Sequence, residues 1–248
     1  MASTPLPVAA GAADPSGSVP AADVLVVVAH PQMEHSRVNR RLMQRAARLA
    51  GSVSDGDRAP SVLVRDLYAL YPDYLIDVPE EQALLERAKL IVWQHPIHWY
   101  SMPPLMKLWL DDVLAFGWAY GRGSSALRGK DLWLVATTGG PEESYRPDSY
   151  NRYFFDAFLP PYEQTAALCG MRFLPPLMLH GAHKVDEAEV AAHESVYVQR
   201  LATYPDWPEL AELPECIACE VPQDARPADD EDAPLARIAV GAPSTATT

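Results

Sequence analysis

Five apolar runs of strand length alternate with segments whose apolar positions recur every three or four residues. Residues 24–29, "VLVVVA", form a continuous β-branched run, as expected of a strand buried on both faces of a parallel sheet. In "RVNRRLMQRAARLAG" the positions Val38, Leu42, Arg45/Ala46 and Leu49 fall at helical spacing, and Gly51 closes the element. Further strands are predicted at 61–67 ("SVLVRDL"), 89–96 ("KLIVWQHP") and 130–138 ("KDLWLVATT"). A fifth, at 171–181 ("MRFLPPLMLHG"), is interrupted by prolines. Helices are predicted at 80–88, from Pro103 and Pro104 to about Phe116, around 154–169, and at 186–204. The Pro pair suits a first turn, which needs no N–H bond from it. Asp186 stands at the start of the last helix and Pro205 just beyond its end.

Strands alternating with helices argue for an α/β fold with an open, doubly wound parallel sheet in three α/β/α layers. In such sheets ligands sit beyond the carboxyl ends of the strands, where strand order reverses. The unusual residues lie in three such places: after strand one ("AHPQMEHSRVNRR"), after strand three ("HPIHWYSMPP") and after strand four ("TTGGPEESY"). All three point to one site.

The 248 residues suit one sizeable domain, placed at residues 23–213. Residues 1–22 are rich in Pro, Ala, Gly and Ser without a basic start, and read as a disordered leader, not a signal peptide. Residues 214–248 have little periodicity and carry seven acids against two arginines; they read as a disordered acidic tail. The net charge of −13 leaves no basic footprint for nucleic acid. No apolar run reaches the ~18 residues that span a bilayer. Three cysteines are too few for a disulfide framework, and reduced thiols suggest a cytoplasmic chain. Cys169 is expected to pack as a small hydrophobe, and the lone Cys216/Cys219 pair lacks the company a zinc or redox site needs.

Each loop has two readings. Backbone N–H groups ahead of the first helix, with Ser36, Asn39, Arg37 and Arg40, suit a phosphate; alternatively Ser36 only caps the helix. Trp99 and Tyr100 suit the flat wall of a planar cofactor, with backbone groups of 97–100 meeting its polar edge; alternatively Trp99 is core. Gly139 and Gly140 permit close approach of a ligand, or make an ordinary turn. Tyr145 donates to a substrate oxygen, or packs. His95 and His98 lack a carboxylate or Cys at metal spacing, so no metal site is expected. G-x-G-x-x-G and Walker A motifs are absent, which argues against a Rossmann dinucleotide site or an ATPase.

The stretches "AHP…HSRVN", "IVWQHPIHWYSMPPLMKLWLDDV", "GWAYG" and "TTGG" resemble the flavodoxin-like NAD(P)H:quinone oxidoreductases. Among these they are most similar to the Kef-type ancillary subunits of glutathione-regulated potassium-efflux systems. The resemblance covers residues 23–204. It implies a five-stranded sheet in the order 2-1-3-4-5, FMN as cofactor, NAD(P)H as co-substrate and a homodimer. It assigns FMN contacts to His30, Ser36, Arg37, Val38 and Asn39 at the phosphate and ribityl end. Pro96, Ile97, His98, Trp99 and Tyr100 would hold the ring, and Thr137, Thr138, Gly139 and Gly140 its other edge. Tyr145, Gly139 and Gly140 are implied nearest the chemistry, and Tyr120 would enter the partner subunit's pocket. Two departures stand out: His98 occupies a position usually filled by Gln, and "SYRPDSYNRYF" has no His beyond Tyr145. The implied activity is ping-pong, two-electron transfer from NAD(P)H through FMN to a quinone. The alternative is a regulatory subunit docked on a potassium-efflux antiporter at the inner membrane.

Overall fold

The computed structural model describes residues 22–50, 60–121, 123–124 and 126–213. The expectations for the leader, for Gly51, for Cys216/Cys219 and for the tail lie outside these residues. Five strands, β1 (Val24–Val28), β2 (Val62–Asp66), β3 (Leu90–Pro96), β4 (Asp131–Thr137) and β5 (Arg172–Leu179), pair in the order β2-β1-β3-β4-β5. Every pairing is parallel.

Side chains alternate across the pleat, so each central strand feeds two cores. From β1, Leu25 and Val27 enter one apolar cluster, while Val24, Val26 and Val28 enter the other. In β3, Ile91 and Trp93 oppose Leu90 and Val92 in the same way; in β4, Leu132 and Leu134 oppose Trp133 and Val135. This explains the absence of polar alternation along these runs. Helices α1 (Val38–Ala50) and α6 (Glu187–Thr203) cover one face through Leu42, Met43, Val190, Tyr197 and Leu201. The other face is covered by α3 (Val78–Arg87), α4 (Pro104–Val113) and α5 (Pro160–Leu168), through residues such as Leu84, Met106, Trp109 and Tyr162.

Caps and prolines set several helix ends. Asp77 and Asp186 accept from the N–H groups of Glu80 and Glu189, as N-caps do. Pro104 opens α4 as its sequence predicts. Four elements fall below the reach of periodicity: the one-turn α2 (Leu67–Leu70) and the 3-10 turns Met33–His35, Glu142–Ser144 and Pro208–Ala211. The helix expected around 154–169 divides into a 3-10 turn, Phe155–Phe158, and α5, because Pro160 and Pro161 restart the chain at a new first turn.

Strand β5 keeps Pro175 and Pro176 within it. It is an edge strand, so a missing N–H can face away from the ladder. Register with β4 shifts between Trp133 and Val135, and the indole of Trp133 donates to Pro175 O at 3.1 Å.

Candidate active site at the carboxyl ends of the strands

Strand order reverses between β1 and β3, and the segments that follow these strands converge there. After β1 the chain makes a 3-10 turn before α1 begins. Ser36 Oγ accepts the Asn39 N–H at 3.1 Å, so Ser36 does cap α1. The N–H groups of Arg37 and Val38 have no acceptor among the described residues. No acid stands in the first turn of α1, leaving its positive end unneutralised. Asn39 is buried, and its Nδ2 donates to Thr137 Oγ1 at 2.9 Å. That bond fixes the amide, and Asn39 Oδ1 remains buried without a partner among the described residues. Gln94 braces the same turn from β3, donating to Asn39 O at 2.9 Å and accepting from Tyr197 Oη at 2.8 Å.

After β3 the chain makes a tight reversal in which His98 and Ser101 exchange both backbone hydrogen bonds. The two residues at its tip, Trp99 and Tyr100, have φ of 49° and 64°. Bulky side chains are seldom found in this left-handed region, which costs roughly 1–3 kcal/mol per residue and is concentrated at ligand sites. The strain is held by contacts. Tyr100 stacks on Phe158 with ring centroids 5.1 Å apart, and its hydroxyl donates to Asn151 Oδ1 at 3.2 Å. Trp99 is 93% exposed, so the core reading of this residue does not hold. The Ile97 and His98 N–H groups are committed to Thr137 O and Ser101 O, which leaves those of Trp99 and Tyr100 available.

After β4, Thr138 N–H is bound to Leu179 O, so the donors left free on this side belong to Gly139 and Gly140. A Cβ on Gly140 would lie 2.7 Å from Ser144 Oγ and 2.9 Å from Tyr150 Oη. Gly140 is therefore required by its packing. A Cβ on Gly139 would meet only His183, at an ordinary 3.6 Å, so packing does not require that glycine. Tyr145 is buried edge-on to Phe155, with centroids 5.3 Å apart. Burial raises its pKa, and hydrogen bonding to Thr138 opposes the rise.

The structure thus assembles Asn39, Thr137, Thr138, Gly139, Gly140 and Tyr145 with the 96–100 turn along one sheet edge. His30 joins them, its ring 6.4 Å from that of His98. Its Nδ1 accepts the Gln32 N–H, which places the hydrogen of the neutral ring on Nε2. Burial lowers the pKa of both His30 and His98, and each is disfavoured as a cation. Arg37 is committed elsewhere: its guanidinium bonds Val185 O and Glu187, beside α6. Tyr120 lies in the segment after α4, its ring edge-on to Phe116.

Sequence reasoning missed Gln94, Asn151 and His180. Gln94 interrupts an apolar strand, a signal visible in "IVWQHP". His180 directly follows β5, so the rule applied to the other strand ends also pointed to it. Asn151 has no local signature; it joins Tyr100 to Ser144 Oγ, which it reaches at 2.9 Å, across a loop that only the fold brings together.

A family model described as the flavodoxin-like fold matches residues 22–201. The glutathione-regulated potassium-efflux system ancillary protein KefF of Citrobacter koseri is 45% identical over 181 residues, 73% of this chain and 96% of that protein. General stress protein 14 of Treponema denticola, solved in complex with FMN, is 35% identical with a TM-score of 0.64, covering 72% of this chain and 97% of that one. An NADPH-quinone reductase from P. pentosaceus is 25% identical with a TM-score of 0.62, over 73% and 98% of the two chains. A chain solved as a tryptophan halogenase from Streptomycin violaceusniger is 38% identical with a TM-score of 0.64, over 72% and 98%.

Proposed function

Because this chain belongs to the flavodoxin-like fold family, we propose that it is an FMN-dependent NAD(P)H:quinone oxidoreductase. The observation that carries the reading is a set of unpaired donors and one buried, unpaired acceptor in the segments that follow β1, β3 and β4. Among the described residues the N–H groups of Arg37, Val38, Trp99, Tyr100, Gly139 and Gly140 have no acceptor, and Asn39 Oδ1 is buried without a partner. That donor set fits FMN. The N-terminus of α1 suits a phosphate, Asn39 Oδ1 suits a ribityl hydroxyl, and the two N–H pairs suit the polar edge of an isoalloxazine. The FMN complex of the Treponema denticola relative supports this choice of cofactor.

When bound, FMN supplies the capacity to accept a hydride from a nicotinamide and pass it to a second substrate. The residues of this chain bind, orient and stabilise charge. Gly139 and Gly140 present N–H groups where negative charge develops, the kind of preorganised stabilisation that lowers a barrier most. The left-handed Trp99–Tyr100 tip exposes a flat aromatic wall. Tyr145 offers a phenol that burial keeps protonated. The quinone as acceptor is supported by the P. pentosaceus relative. A homodimer, with Tyr120 reaching the partner subunit's pocket, completes the proposal.

The test is direct. Purified protein is expected to be yellow, or to become so with FMN, and to oxidise NADH or NADPH with a quinone in parallel-line, ping-pong kinetics. Protein that stays colourless and inactive with excess FMN refutes it. Sedimentation at micromolar concentration checks the dimer, which a monomer at activity-supporting concentrations would rule out.

A second reading is favoured by the KefF relatives, which this chain matches over nearly their whole length. Here the chain is the ancillary subunit of a potassium-efflux antiporter, held at the inner membrane by that partner. Among the described residues no helix is long and apolar enough to cross a membrane itself. Potassium efflux from vesicles carrying the antiporter should rise when the chain is added; unchanged efflux counts against this role.

A further inference from the structure

Asn151 is buried, yet it belongs to no helix or strand. It sits in the turn 149–152, which the Arg152 N–H closes onto Ser149 O at 3.1 Å. Its side-chain amide reaches two segments that come from different strand ends. Nδ2 lies 2.9 Å from Ser144 Oγ, in the 3-10 turn after β4. Oδ1 lies 3.2 Å from the Tyr100 hydroxyl, at the tip of the turn after β3.

The sense of each bond follows from counting hydrogens. Ser144 has one hydroxyl hydrogen, and Pro141 O takes it at 2.6 Å. Toward Asn151 the serine oxygen is then an acceptor, so the amide presents Nδ2 to it. Oδ1 is thereby turned to Tyr100, which has to donate. One line of donation therefore runs from Tyr100 through Asn151 and Ser144 to Pro141. It passes beside Gly140: a Cβ there would lie 2.7 Å from Ser144 Oγ and 3.6 Å from Asn151 Nδ2.

The Trp99–Tyr100 tip needs a hold, because both residues have positive φ. The backbone bonds exchanged by His98 and Ser101 close the turn on itself. Two side-chain contacts tie the tip outward, the stack on Phe158 and the bond to Asn151. The second is directional, and it leads to Gly140.

We propose that Asn151 is a positioning residue that sets the gap between two pairs of backbone donors, Trp99–Tyr100 and Gly139–Gly140. On the flavin reading proposed above, both pairs meet the polar edge of one ring, so their separation has to match that ring. Asn151 holds the separation in advance, and ordering of the tip is not left to the cofactor. The Tyr100 hydroxyl acts through Asn151 and not by touching the ring.

The test measures binding of FMN, and of riboflavin, which lacks the phosphate, to the full-length protein freed of flavin. Wild type is compared with Tyr100→Phe, Asn151→Ala and the double variant. Each single variant should bind FMN about three- to tenfold more weakly, the worth of a hydrogen bond. Riboflavin should weaken by the same factor, because the defect lies at the ring and not at the phosphate end. The double variant should bind no more weakly than Asn151→Ala, since Tyr100 then has no bond left to lose. Losses that add, losses that differ between the two flavins, or unchanged binding in either single variant overturn the inference and leave the flavin reading intact. Wild type that takes up neither flavin overturns both. Tyr100→Phe removes one oxygen from a partly exposed residue and keeps the ring that stacks on Phe158. Should Asn151→Ala not fold, Ser144→Ala takes its place, cutting the same line one bond further on; its loss and that of Tyr100→Phe should again fail to add, and full additivity overturns the inference.

Discussion

Gly139 and Gly140 are neighbours in sequence with different reasons to be glycine. A methyl at 140 would strike Ser144 Oγ, which is already held by Pro141 O and Asn151, so Gly140→Ala should cost stability on the order of 1–3 kcal/mol. A methyl at 139 meets only ordinary contact. Gly139→Ala should therefore unfold within about 0.5 kcal/mol of wild type yet bind FMN roughly tenfold more weakly. Denaturation curves paired with flavin titration check both, and equal behaviour of the two variants would contradict this division. The sequence showed the G-G pair but not which of the two is crowded, because Tyr150 and Asn151 reach Gly140 only through the loop's own fold. The same limit applies to Trp99. Its type suggested either wall or core; its positive φ and full exposure depend on a turn held by Asn151 and Phe158, both distant in the chain.

Elements were legible where apolar periodicity is strong. The strands differ from expectation by one or two residues at their ends, and α1, α4 and α6 begin where caps or prolines place them. What periodicity cannot carry is how helices are tied to the sheet by polar groups. Glu81 of α3 is fully buried and ties α3 to β2, to α4 and to Tyr71, the residue after α2. One oxygen accepts from Arg65 of β2 at 2.6 Å and from Tyr71 at 2.7 Å, and the other from the Trp109 indole of α4 at 3.0 Å. In sequence Glu81 is one of two adjacent acids in "PEEQ", and nothing local separates it from half-buried Glu80. Burial opposes the charge on Arg65, but the paired Glu81 outweighs it and raises its pKa. Removing the carboxylate strands a buried guanidinium, so Glu81→Ala should destabilise the fold by about 3–5 kcal/mol. Glu80→Ala, at a partner of the same arginine whose side chain stays 43% exposed, should cost less than about 1 kcal/mol. Urea midpoints distinguish the two; a smaller loss for Glu81→Ala than for Glu80→Ala would refute the assignment.

Across the whole molecule, two buried histidines govern how stability responds to acid. Burial pushes His95 down to about 4, against a backbone contact to Pro96 O, and burial likewise holds His193 at about 4. In the unfolded chain each titrates near its ordinary ~6.5. Below that value the unfolded state takes up protons that the folded state refuses, so stability is full above about pH 6.5 and falls as pH drops toward 4. Between pH 7 and 5 each histidine accounts for about 2 kcal/mol of the loss. His193→Gln should lose correspondingly less over that interval, whatever its stability at pH 7. Identical pH slopes for variant and wild type would show that His193 is not buried neutral.

The prolines of β5 bear on a different matter, how copies of this chain meet. An exposed strand edge is a template for another strand, and proteins that leave one open invite filaments. Pro175 and Pro176 are consecutive in the edge strand, and since successive N–H groups point to opposite sides, one of the two removes a donor from the outer edge of the sheet. A second copy laid against β5 would find a carbonyl without a partner there. Growth of a filament by strand addition at the β5 margin is thereby interrupted before it can propagate.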